Sequence, residues 1–482
     1  MSTLRSLRLL GAVEAGTVTG TQLQTYLADA GRNAEFSVLL SNRGQSRRMA
    51  SNTLTMTAIT TSQNALNTVF QAATALTNAA CTAVVSSSVA MTTVAGSTAS
   101  LNVVAANPVA WGLFNTSAYY ETNVRTVLAN YAGVNPVSYA TVTALVADPA
   151  SMAAIVAAPY AMGALLASPA STTLVAASSV AMALVAANSV AINIVAAQTT
   201  IMSIIANSTA AMTEINSRSA AALAMASQPG AIKVISTVSS AWTSYQAGPF
   251  FAANLPTILA NLIGVAPASY PTLDSIIADA TALALVAKST AAVQALSSNS
   301  AAMTTLANSA NIGIILGSSI AMSVIGPKTS AMNSFLGASG AWPGLFSSSI
   351  AKGYIVISTA LVDSIAGNAA LITYLKTTAV TVTETALPDG SPTSLQAFLP
   401  APPAKILMLG AKETGIAATF SNYNFGGTSM AGTAAGTTLA LTGTIGAAPT
   451  PHVAGYVGLT WNFQGIGVTA ATVPVITFFD MS

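Results

Sequence analysis

Large apolar residues recur along this chain on a ten-residue beat. From Ala181 the text runs AMALVAANSV, AINIVAAQTT, IMSIIANSTA, AMTEINSRSA, and the blocks SMAAIVAAPY and AMGALLASPA keep the same phase upstream. A small residue followed by a large one opens most blocks (Met152, Met162, Met182, Ile192, Met202, Met212), and pairs such as Leu184/Val185, Ile194/Val195 and Ile204/Ile205 follow. Small or turn-forming residues close each block. Self-similarity at a fixed period marks stacked units, none of which can bury its apolar face alone.

One continuous helix cannot keep this stripe. At about 100° per residue, ten residues stop about 80° short of three turns, and the stripe drifts around the axis. Pro108, Pro149, Pro159, Pro169 and Pro229 sit three residues before the position usually held by the large apolar residue. Asn107, Asp148, Ser168 and Ser178 sit four before it. That spacing predicts an N-cap residue, in most cases followed by proline at the first helical position. Each block is therefore expected to be a helix of two turns or fewer and then a tight turn. The alanine and methionine content favours helix over strand. The competing reading is a β-solenoid of paired pentapeptides. It wants a large apolar residue every five positions, which Val190, Thr200, Ala210, Ala220 and Gly230 do not reliably supply.

The beat is interrupted by a longer duplication. Residues 119–157 align without a gap to residues 250–288, a shift of 131 positions. Asn123/Asn254, Leu128/Leu259, Asn130/Asn261, Gly133/Gly264, Pro136/Pro267, Tyr139/Tyr270 and Asp148/Asp279 match, and Ala110-Trp111 aligns with Ala241-Trp242. The text LANYAGVNPVSYATV predicts helix, glycine stop, turn and helix.

These patterns divide the chain into an N-terminal docking region (1–48), a helical lead-in with the first repeats (49–118) and a first spacer module (119–151). A first decapeptide array (152–249), a second spacer copy (250–282) and a second array (283–352) follow. A connector with a Pro-rich linker (353–403) leads to a C-terminal β domain (404–482). In the last segment short alternating runs are split by Gly, Asn and Thr, which predicts a small antiparallel β domain. The expected fold class is mostly α: a solenoid-like stack of short helices with that β domain at its end.

Composition narrows the function. Only 6% of residues are charged, and no Asp, Glu, Lys or Arg occurs between Arg48 and Glu121 or between Asp148 and Glu214. A net charge of +2 gives no argument for nucleic acid. A window such as 174–192 is apolar enough for a hydropathy test, but its polar residues recur every ten positions and no Lys or Arg flanks it, which argues against membrane insertion. Arg5 and Arg8 precede no sustained apolar run, so no signal peptide is expected. Cys81 is alone and reads as a buried thiol.

Candidate chemistry is sparse. His452 has no cysteine or carboxylate near it in sequence and reads as a loop residue. Asp279 occupies the matched position of Asp148 and reads as a helix cap rather than as half of an acid pair with Asp274. NFGGTSMAG follows no strand-then-helix phosphate pattern, and no Gly-x-Ser-x-Gly elbow occurs. No enzyme, cofactor or metal site is expected. Six arginines fall within the first 48 residues. They are either a solvated amphipathic terminus or a docking surface for an acidic partner, with Arg5, Arg8, Arg43, Arg47 and Arg48 as candidates. Tyr423, Tyr456 and Trp461 are candidates for surface binding in the β domain, with core packing as the plainer role.

Arrays of the form Ser-x-x-Ala-Met-x-x-Val-Ala-Ala, opened by LRSLRLLGAVEAG, resemble structural proteins of tailed-bacteriophage virions, usually described as fibre or tail proteins. The resemblance covers residues 1–350 loosely and is one of repeat style. It implies a virion location, other virion proteins as partners and a homo-oligomer, often a trimer. A small β domain after a stalk is similar to a fibre tip, which implies contact with a partner or with a host-surface glycan or protein. A secreted bacterial surface adhesin at the cell surface is the alternative, and a membrane-inserted protein is a further one.

Overall fold

The computed structural model of the chain describes residues 2–71, 78–356, 358–377, 380–383, 393–394, 405–414, 423–424, 428–431, 438–439, 455–457, 462–463 and 473–481. Two compact units, Met1–Asn254 and Leu255–Ser482, are each built mainly from short helices.

The decapeptide dictates one helix and one corner. Ser178 is extended, and its hydroxyl accepts from the Ala181 amide at 3.2 Å, which starts the helix Ser179–Ala187. Ala181, Met182, Val185 and Ala186 are buried, and Leu184 is half-buried. Asn188 ends this helix and caps the next, its Oδ1 accepting from the Val190 and Ala191 amides at 3.0 Å each. A nine-residue helix plus one shared extended cap makes the ten-residue period. The expected caps Asn107, Asp148, Ser168 and Ser178 all bond to the first-turn amides, and Pro108, Pro149 and Pro169 take the first helical position. Helices of eight or nine residues slightly exceed the two turns expected, and positions such as Ala186 extend the buried face.

Each corner turns the chain sharply. Consecutive helices meet at 108° between Pro149–Ala157 and Pro159–Leu166, and at 98° between Pro169–Ala177 and Ser179–Ala187. Each helix therefore lies on the third one after it: Ser179–Ala187 packs on Thr209–Asn216, and Ser189–Ala196 on Ser219–Ser227. The cap hydroxyls also tie successive layers. Ser318 accepts from Ala321 N and donates to Ala287 O at 2.7 Å, and Ser348 donates to Leu316 O at 2.7 Å. A serine with one donor and two acceptor sites can make both bonds. Apolar residues at the second helical position stay outside, Val180 at 47% and Val190 at 51% exposure, which a pentapeptide β-solenoid would have buried.

The beat extends further than its text suggests. Helices Arg43–Ser51, Thr53–Thr60 and Gln63–Leu66 follow caps Asn42, Asn52 and Ser62. At the other end Ser349–Val356 runs into the segment expected as connector, and Thr359–Ala366 and Ala369–Thr377 continue the spacing within it. Arginine- and threonine-rich text hid the first set and scattered charges hid the second. Caps and burial alone carry the repeat there.

The duplicated segments fold alike. Helices Tyr120–Ala132 and Phe251–Ile263 each have 13 residues and are followed by a glycine in the left-handed region, Gly133 at φ 69° and Gly264 at φ 80°. Short 3-10 turns at Pro136–Ser138 and Pro267–Ser269 lead to Val142–Ala147 and Leu273–Ala278.

After the last helix the described strands pair antiparallel. One sheet runs in the order Val380–Thr383, Val473–Asp480, Lys405–Thr414, Gly455–Val457, Thr428–Ala431, with Val380 opposite Phe478 and Ile406 opposite Asp480. Val380–Thr383 lies ahead of the expected start of the β domain, because its partner strand is far away in sequence. Phe479 meets Phe346 edge-on at 5.5 Å, and Lys352 Nζ donates to Asp480 O at 3.4 Å.

Candidate functional site

The N-terminal arginines sort into engaged and open groups. Arg48 ion-pairs with Glu14, which removes it from the candidate docking set as a free cation. Arg32 lies over the Tyr26 ring at 4.8 Å. Arg5 and Arg8 are exposed on the helix Ser2–Glu14. Arg43 and Arg47 are exposed one turn apart on Arg43–Ser51. That face is forced outward: Asn42 caps the helix through the Gly44 and Gln45 amides, and Ser46, Met49 and Ala50 take the buried side. Arg43 and Arg47 line a cleft of about 460 Å³ with Ser41, Ala79, Thr82, Ala83 and Ser86. Ser41 and Ser86 donate to carbonyls of their own segments at 2.7 Å, so the guanidiniums are the cleft's strongest free donors.

The aromatic candidates of the β domain fall apart. Tyr456 lies opposite Ile406 and Ser429 in the five-stranded sheet, whereas Tyr423 pairs with Leu439 in a separate two-stranded one. Trp461 and His452 lie outside the described residues, as does the Pro-Ala-Pro-Pro stretch.

Titratable groups elsewhere hold structure. Burial pushes the Cys81 thiol up to about 11, which suppresses the reactive thiolate. Asp148 caps Pro149–Ala157 through the Ala150 and Ser151 amides, and hydrogen bonds from Tyr139 and Ser151 lower its carboxyl to about 2. Asp279 does the same for Ala280–Lys288, accepting from Tyr270 at 2.8 Å, which also lowers its carboxyl. Sequence reasoning found both caps but not the tyrosines, although Tyr139 and Tyr270 match in the duplication. Burial lowers Lys328, whose ammonium donates to Ser297 Oγ at 2.8 Å. Where Thr209–Asn216 packs on Ser239–Gln246, buried Asn216 Oδ1, Arg218 Nε, Trp242 Nε1 and Gln246 Nε2 have no protein hydrogen-bond partner. Among the described residues no group of three His, Cys, Asp or Glu side chains could hold a metal ion.

The architecture defines a class: a helical repeat stack whose polar side chains serve as caps and layer ties. No protein-family model matches the chain, and no curated protein matches it.

Proposed function

We propose that the protein is a structural component of a bacteriophage virion, a fibre or appendage that works as a homo-oligomer, with a trimer expected. Its N-terminal region attaches to other virion proteins, and its C-terminal β domain contacts a partner or host surface. The observation that carries this reading is the pairing of a long capped-helix repeat with open arginines gathered at its N-terminal end. Further along, Asp148 and Asp279 serve as caps, and Arg125 and Arg218 are held by local contacts. A repeat stack of this kind supplies length and surface, and Asp148 and Asp279 are held in it as helix caps. No single described helix is long and apolar enough to cross a membrane, although five bent helix pairs would pass by length and composition.

Immunogold labelling of purified phage particles with antibodies against the full chain tests the reading. Decoration at a particle appendage is expected, and labelling of a bacterial surface instead would establish the adhesin alternative. Light scattering of the purified chain tests the oligomer, with a monomer counting against it. Deletion of residues 1–48 should abolish incorporation into particles, and a truncated chain that still incorporates overturns the docking role.

A further inference from the structure

Eight arginines occur in the chain, and the structure spends half of them internally. Arg48 meets Glu14, Arg218 meets Glu214 at 3.3 Å, Arg125 donates to Tyr139 O at 2.8 Å, and Arg32 stacks on Tyr26. Among the described residues Arg5, Arg8, Arg43 and Arg47 have no such contact. Arg43 and Arg47 share a concavity. We propose that the Arg43/Arg47 cleft receives an acidic peptide segment of a partner protein, two guanidiniums gripping carboxylate side chains. This assignment rests on the docking role proposed above and names its site and its chemistry.

Three features favour this ligand. Guanidinium forks match carboxylates in bidentate geometry and are only weakly hydrated, so an arginine pair suits protein carboxylates better than lysine would. A cleft of about 460 Å³ lies within the range of sites that enclose an organic ligand and far exceeds the needs of one small anion. Ala79 and Ala83, one turn apart on Asn78–Val85, give it a methyl-lined wall for the methylenes and backbone of a peptide. Nucleic acid fits less well. Its affinity comes from many neutralised phosphates and stacked bases, whereas the neighbouring Arg48 is already neutralised and no aromatic ring is among the described residues that line the cleft.

Fluorescence anisotropy with a labelled Glu/Asp-rich peptide and the full-length protein provides the test. Arg43→Gln/Arg47→Gln should weaken binding at least about tenfold, and Arg43→Lys/Arg47→Lys should recover only part of the loss. Arg5→Gln/Arg8→Gln, which removes the same charge outside the cleft, should change it less than about twofold. Equal affinity across all variants, or no binding by the wild type, overturns the proposal. So does inorganic phosphate displacing the peptide at equimolar concentration, or single-stranded DNA binding more tightly than the peptide through the same arginines. Circular dichroism confirms that the variants fold. Peptide binding without particle decoration by antibody would retain the cleft and remove the virion reading. Decoration without peptide binding would do the reverse.

Discussion

The two spacer copies reach the same backbone with different side chains. Both aromatic knots pair a tryptophan with two rings. Trp111, Phe114 and Tyr120 meet with centroids 5.7–6.4 Å apart, and Trp242, Tyr245 and Phe251 with centroids 5.8–6.3 Å apart. The hydroxyl has changed places between them. Tyr120 donates to Ala164 O in the first copy, and Tyr245 donates to Ala222 O at 2.8 Å in the second. Arg125 holds the return loop of the first copy through Tyr139 O, whereas the matched position of the second is Pro256, inside a helix. Glycine, the tyrosine–aspartate lock and the ring packing are kept. These are the parts with little geometric freedom, and the hydrogen bonds that tie each knot to its neighbours drift.

The largest expected effect separates the two tryptophans. Trp242 is 3% exposed and Trp111 is half-buried, so Trp242→Ala should cost about 3–5 kcal/mol and Trp111→Ala distinctly less. Chemical denaturation measures both, and equal losses would break the contrast. Pro256→Ala restores a helical amide donor, and a gain of about 1–3 kcal/mol is expected in the same assay. Arg125→Ala, its counterpart, should cost about 1 kcal/mol through the lost carbonyl contact. A gain from Arg125→Ala would show that the loop needs no clamp.

The smallest effect concerns acid. Asp148 falls from 3.8 to about 2 on folding, so its contribution is complete above the unfolded value and is lost as pH drops from 3.8 toward 2. Asp279 is lowered in the same direction. Tyr139→Phe should raise the Asp148 titration and flatten the acid limb of stability. Carboxyl-resolved NMR titration measures it, and an unmoved Asp148 would dissolve the proposed lock. Tyr270→Phe should raise the Asp279 titration in the same direction.

Much of the helical stack was legible residue by residue. Asn107, Asp148, Ser168 and Ser178 announced helix starts, and Met182 and Val185 announced burial, because capping and side-chain placement act within a few residues. Asn42, Asn52 and Ser62 carried the same signal but were missed among arginines and threonines. The cationic end was visible as composition. The split between Arg48 and the Arg43/Arg47 pair was not, since Glu14 comes from another helix. Neither was the cleft wall supplied by Asn78–Val85.

The chain's text determined where helices begin, which faces bury and that one module occurs twice, all consequences of local backbone chemistry and a fixed period. Only tertiary structure decided that each helix stacks on the third one after it and that Ser208, Ser318 and Ser348 tie one layer to the next. It likewise decided that Val380–Thr383 joins a strand near the end of the chain. Those contacts depend on the angle at each corner summed over three helices. No single residue encodes that sum, and small errors in one corner would move every later partner.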